Sequence, residues 1–299
     1  MQNIVMGFFD FIFGKKEETK KTNVNLEWLQ IVEILPGLKL PNAFSPYKQE
    51  IEATSRSFIS IEATPVKELT LQESKFGHYP MMPLHVEYPL DAQNEYMYPL
   101  AQINFNDLPA LPNYPSTGYL QFYISAFDES YGINFENPKE QINFRVLYFE
   151  NEEVEEHKTD FSFLEKTMNA DYLPISSPHS LNFFSKEEYI GIGDAQYETN
   201  ENSIQKIINS KLPDIENELL DSVYDNCQSN GHKIGGYAYF SQEDPRLYDE
   251  NFKDYVLLFQ MDTDEEIMWG DSGIANFFIH KDDLVHKDFS NVLFNWDCY

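Results

Sequence analysis

The sequence predicts an α+β fold: a duplicated β-rich unit with pseudo-twofold symmetry, mostly antiparallel or mixed sheets, and a few flanking helices. Three observations predict it. Four short blocks recur in one order in two parts of the chain. Each block reads as a strand or its entrance, bounded by Gly and Pro turns. A helical stretch with one apolar face lies between the two parts.

The repeat comes first because it sets the organisation. Lys75-Phe76-Gly77-His78-Tyr79 lies on Lys233-Ile234-Gly235-Gly236-Tyr237, an offset of 158 residues (233 less 75). At the same offset Leu100-Ala101-Gln102-Ile103 falls on Leu258-Phe259-Gln260-Met261. Gly118–Ile124 then meets Gly273–Ile279, and Val146-Leu147-Tyr148 meets Val292-Leu293-Phe294, with loops absorbing the change in length. The expectation is one domain over 25–299. It contains units of about 72–150 and 230–299, joined by 151–229 and preceded by a segment, 1–24, of its own character.

In that leading segment Val5, Phe8, Phe9, Ile12 and Phe13 share one helical face, and Lys15, Lys16, Lys20 and Lys21 follow Gly14. A secretory signal carries its positive charge before the apolar run, whereas here it comes after, so a secretory signal is not the expected reading. The helix is expected to dock on the body. Membrane contact by residues 1–14, or docking on a partner, stays open. Further on, Leu26–Leu35 reads as helix or strand up to Pro36-Gly37, Ser45-Pro46 opens a helix to Thr54, and Ser57–Glu62 alternates as a strand. Gly118–Ala126 and Gln141–Glu150 are the strongest strands of the first half. In the middle, short aromatic runs (Phe161–Leu164, Leu181–Phe184) precede an amphipathic helix through Ile204, Ile207, Ile208 and Leu212. Pro213 should split that helix before Ile215, Leu219 and Val223 continue it. Asp282-Asp283 reads as a helix N-cap pair.

Charge limits the partners. Fifty Asp and Glu face 21 Lys and Arg, a formal −29. Such a field repels nucleic acid and anionic membranes, favours a basic protein partner and also favours solubility. From Asp214 to Tyr299 there are 19 acids and five bases, and Glu150–Glu156 forms a second acidic cluster. Two distant cysteines, Cys227 and Cys298, suggest a reducing, cytoplasmic setting.

Candidate chemistry is thin, and no catalytic residue is assigned. Asp262–Glu266 fails as an EF-hand loop because Ile267 and Gly273 stand where Gly and Glu are needed. Seven histidines show no zinc-ligand spacing, so no metal and no cofactor is expected. Gly270-Asp271-Ser272-Gly273 lacks nucleophile-elbow spacing and leads straight into a repeated strand, so a turn is expected. His232 reads as a turn residue. Gln102 and Gln260 are polar positions inside apolar strands. They should hydrogen-bond across the pseudo-axis or to neighbouring backbone, or else line a central cleft with Lys75 and Lys233. Gln242–Arg246 has no counterpart in the first unit. Arg246 is expected to fork onto Asp244 or Asp262, and Arg246, Trp269 and Asp271 complete the speculative binding set.

On Glu73–Gly77, Tyr98–Phe105, Leu108-Pro109, Tyr114-Pro115, Gly118–Phe122, Gly235–Tyr237, Gln242–Arg246, Leu257–Asp262 and Met268–Gly273, the chain resembles the YwqG-like family, a large, mainly bacterial family whose domain has no assigned function. His78 departs from the pattern, which has a second glycine there. The resemblance implies an α+β fold. It also implies gene neighbourhoods with polymorphic toxins, hence an immunity-type, non-catalytic protein-binding role. The alternative is a small-molecule-binding or metal-dependent enzyme using a cleft between the units.

Overall fold

The computed structural model describes residues 25–299. The helix and linker expected over residues 1–24 lie outside the described residues. Two compact units are present: 25–54 with 196–228, and 55–195 with 229–299.

In the first unit, Pro36-Gly37 turns the chain between β1 (Ile31–Leu35) and β2 (Leu38–Pro41), with Gly37 at φ 78°. Ser203 caps the helix Ile204–Lys211 by accepting the Lys206 N–H. Pro213 ends that helix and begins a 3-10 turn into the helix Glu216–Asn226. The expected split therefore stands, and Ile204, Ile207, Ile208, Leu219 and Val223 are all buried.

The second unit is one ten-stranded sheet. Its strands are β3 (Arg56–Pro65), β4 (Lys75–Phe76), β5 (Tyr98–Asn104), β6 (Tyr119–Ile124), β7 (Phe144–Phe149), β8 (His179–Glu188), β9 (Lys233–Gly235), β10 (Tyr255–Asp262), β11 (Ile274–His280) and β12 (Leu293–Asp297). The order across the sheet is β12-β11-β10-β9-β3-β8-β4-β5-β6-β7, and every neighbouring pair is antiparallel. The sheet curls until its two ends nearly meet. Phe122 on β6 packs 4.7 Å from Phe259 on β10 and 4.8 Å from Phe277 on β11, and Phe144 on β7 packs 5.2 Å from Phe294 on β12. This aromatic interior, with Leu100, Ile103, Leu258 and Met261, is the main apolar core.

Two local expectations change. Leu181–Phe184 belongs to the long strand β8 rather than to a short aromatic run. The cap of the helix Lys281–His286 is His280, whose side chain accepts the Asp282 N–H. Asp282 and Asp283 fill the first turn, where their charge suits the helix N-terminus.

Candidate functional site

The repeated polar residues meet in two places. Lys75 on β4 is the register partner of Gln102 on β5, and Lys233 on β9 is the register partner of Gln260 on β10. Gln102 donates from Nε2 to the carbonyls of Leu71 (2.7 Å) and Glu73 (2.9 Å), and its Oε1 accepts the Met81 N–H at 2.6 Å. Gln260 donates to the carbonyls of Ser229 (2.9 Å) and Gly231 (2.8 Å) and accepts the Tyr239 N–H at 2.9 Å. The partners correspond at the offset of the sequence repeat: 71 with 229, 73 with 231, 81 with 239. Gln121 Nε2 then binds the Met81 carbonyl, and Asn276 Nδ2 the Tyr239 carbonyl. Each glutamine thus ties the loops before and after its lysine strand to the sheet. A buried amide with all these partners carries no unmet polar cost. The bonds run to neighbouring backbone.

The lysines differ. Both are fully buried, and each amine is engaged by the chain itself rather than facing an open cleft. Lys75 Nζ donates to the carbonyls of Thr70, Leu71 and Tyr79. Burial pulls its ammonium down to about 7, against the opposing pull of Glu73. Lys233 Nζ instead forks onto Glu188 at 2.9 and 3.0 Å and lies 5.1 Å from the Phe58 ring. Burial raises Glu188 and lowers Lys233, and the charge of each resists the shift in the other. Glu188 also accepts the Tyr237 N–H. A Cβ on Gly236 would stand 1.9 Å from its Oε1, so only glycine fits there. His78, at the corresponding place, takes the same left-handed backbone (φ 67° against 79°) and keeps the turn without a glycine.

Arg246 is a clasp. Its guanidinium binds Asp244 through Nε and Nη2, Asp194 Oδ2 at 2.8 Å and the Tyr255 carbonyl at 3.1 Å, over the Phe278 ring. Burial opposes its charge, and Asp194 and Asp244 together outweigh that cost. Asp194 and Asp244 also accept the N–H groups of Ala238 and Ala195, which fixes the loop after β9. Asp262, the other expected acceptor, is taken by the N–H groups of Gly231 and Thr263.

Trp269 is buried against Tyr131 and Trp296 on the β10–β11 connection, whereas Asp271 is exposed there, its carbonyl accepting the Tyr299 N–H. Among the described residues no hydrogen bond, ion pair or ring contact joins either to Arg246. Ser272 (φ 55°) and Gly273 form a turn, with the Gly273 N–H on the Trp269 carbonyl. His232 accepts the Asp262 N–H at Nδ1, which leaves the Nε2 proton for Asp264 at 3.0 Å. It too holds a turn.

Sequence reasoning missed Glu188 and Asp194. Neither lies in a repeated block. The signal for both was a buried base in so acidic a chain, because each such base needs a carboxylate. Among the described residues no group of three or more His, Cys, Asp or Glu side chains is gathered to hold a metal. No helix among them is long and apolar enough to cross a membrane.

Residues 74–298 match the family model described as a domain of unknown function, DUF1963. The chain belongs to that family. The DUF1963 span takes in both lysine–glutamine pairs, Glu188 and the Arg246 clasp, and leaves β3 outside it. No curated protein matches the chain.

Proposed function

We propose that this chain is a non-catalytic binding protein whose partner is a basic protein, and that its scaffold is two copies of one β-rich unit. The YwqG-like resemblance narrows the partner to a toxin domain held by an immunity-type protein in the cytoplasm. One observation carries the binding reading. Of the acidic residues described, Asp91, Asp194 and Asp244 are buried and Glu188 nearly so, while most of the others are exposed, so the bulk of the acid surplus is displayed on the surface. The repeated polar residues, by contrast, are held inside by their own chain. A surface of this kind accelerates association with a basic partner and discriminates against acidic ones.

The mirrored sheet order supports the two-copy scaffold. From the β3–β8 centre, each wing runs through a short lysine strand, a glutamine strand and two more. The pairs Ser60↔Lys233 and Ser180↔Lys75 place the two wings alike, and the central register Ser60↔Phe184 and Thr64↔Ser180 is symmetric about Glu62↔Asn182.

The test is affinity capture from native lysate at low salt, followed by titration of the captured basic protein in purified form. The exposed glutamates Glu152, Glu153, Glu155 and Glu156 are then changed together to lysine. Binding should weaken with salt as screening sets in over roughly 10 Å at 0.1 M, and weaken again in the charge-reversed variant. Capture of no basic protein, or binding indifferent to both changes, would sink the reading.

A further inference from the structure

We propose that the open edge of β7 is a docking site for an extended peptide that carries a carboxylate side chain and adds as a strand in the seam where the sheet nearly closes. This inference is independent of the basic-partner reading and concerns a different surface.

The seam lies between β7 and the chain leading into β12. One stretch of it is filled by the chain itself. The Phe294 N–H donates to the Pro138 carbonyl at 2.9 Å, and Trp296 Nε1 donates to the Ser130 carbonyl. Beside that stretch, one side chain does the work of a peptide group. Gln141 Oε1 accepts the Val146 N–H at 2.7 Å, and its Nε2 donates to the Phe289 carbonyl at 2.8 Å. An amide bridging two facing backbones in this way sits as a peptide unit of an intervening strand would sit.

The ladder to β6 fixes what comes next. Its bonded positions include Ser125 with Asn143, so in this register Val146 and Tyr148 turn their N–H and C=O groups away from β6. Val146 N–H has Gln141. Among the described residues the Tyr148 N–H and C=O have no partner. They face a groove of about 540 Å³ lined by Gln141, Arg145, Tyr148, Lys287, Phe289 and Ser290. An unpaired strand edge with a groove beside it is the geometry of strand addition.

Charge selects the occupant. The groove is basic on an acidic molecule. Lys287 is already paired with Glu150. Arg145 donates from Nε to the Gln141 carbonyl and has no carboxylate within ion-pair distance among the described residues, whereas Arg246 has two. An arginine left without a carboxylate in a chain with 50 acids marks the place where an incoming one would be held. At ordinary ionic strength the acidic remainder is screened beyond roughly 10 Å, so the local guanidinium decides.

The probes are short fluorescent peptides alternating valine and threonine, with glutamate, lysine or proline at the centre. They are titrated by anisotropy against the full chain and against Arg145→Glu and Arg145→Lys, with circular dichroism to confirm folding. The glutamate peptide should bind best, and its complex should slow hydrogen exchange at the Tyr148 amide. Arg145→Glu should weaken it about tenfold or more, the fold-change of one charge-assisted hydrogen bond, and Arg145→Lys should restore part of the loss. Equal binding of all three peptides, or an unprotected Tyr148 amide with the glutamate peptide at saturation, overturns the proposal. So does self-association through this edge without peptide binding, which would assign it to a second copy.

Discussion

Replacing Gln102 or Gln260 by alanine tests whether these two side chains hold the same position in two related units. Each alanine removes two donated bonds and one accepted bond between a strand and its flanking loops. At about 1 kcal/mol net per bond, the loss is roughly 3 kcal/mol. The Met81 or Tyr239 N–H left behind adds part of the cost of a buried unsatisfied donor, for a total of roughly 3–5 kcal/mol. Gln102 should stand at the upper end, because its oxygen also accepts Gln121 Nε2 at 2.9 Å. With a urea dependence near 3 kcal/mol per molar, the midpoint falls by about 1 M or more in each variant. Urea unfolding followed by tryptophan fluorescence reads both. Methionine in place of alanine keeps the volume and loses the bonds, which separates the hydrogen-bond loss from the cavity. A near-silent change at one glutamine beside a full loss at the other would refute the equivalence.

Two further predictions concern the lysines. Lys233→Ala leaves Glu188 buried beside Asp194 without its cation, and should cost about 3–5 kcal/mol in the same assay. The double variant Lys233→Met with Glu188→Gln should recover much of that, because removing both charges together is far milder than orphaning one. Additive losses would show that the pair is not coupled. For Lys75, burial sets the folded value at about 7 against 10.5 unfolded, with Glu73 and His78 as its charged or titratable neighbours. Between those values the unfolded chain holds a proton that the folded chain has released, so this term stabilises as pH rises from 7 towards 10.5 and is lost as pH falls through 7. The slope is at most about 1.4 kcal/mol per pH unit. The stability of the natural chain relative to Lys75→Met should therefore climb across roughly pH 7 to 10, and a flat difference there would overturn the assignment.

The contrast between Lys75 and Lys233 also explains what could be read from the sequence. β4 and β9 are two and three residues long, too short to show alternation, and they were legible only because the same letters recur around Gln102 and Gln260. The split at Pro213 was legible because a missing N–H and a fixed φ act locally. β8 was not, because only one of its positions, His179, is fully buried and its sequence never settles into apolar–polar alternation. With β8 went Glu188, whose link to Lys233 spans 45 residues and has no counterpart at Lys75. Lys75 reaches the same burial with three backbone carbonyls and no carboxylate. The two lysines therefore sit in different electrostatic settings, and what the two sites share is the amide of the neighbouring glutamine. On the proposed two-copy scaffold, those two amides rather than the lysine charges are the shared key, and Glu188, Asp194 and the Arg246 clasp are additions around Lys233 that leave the mirrored strand order intact.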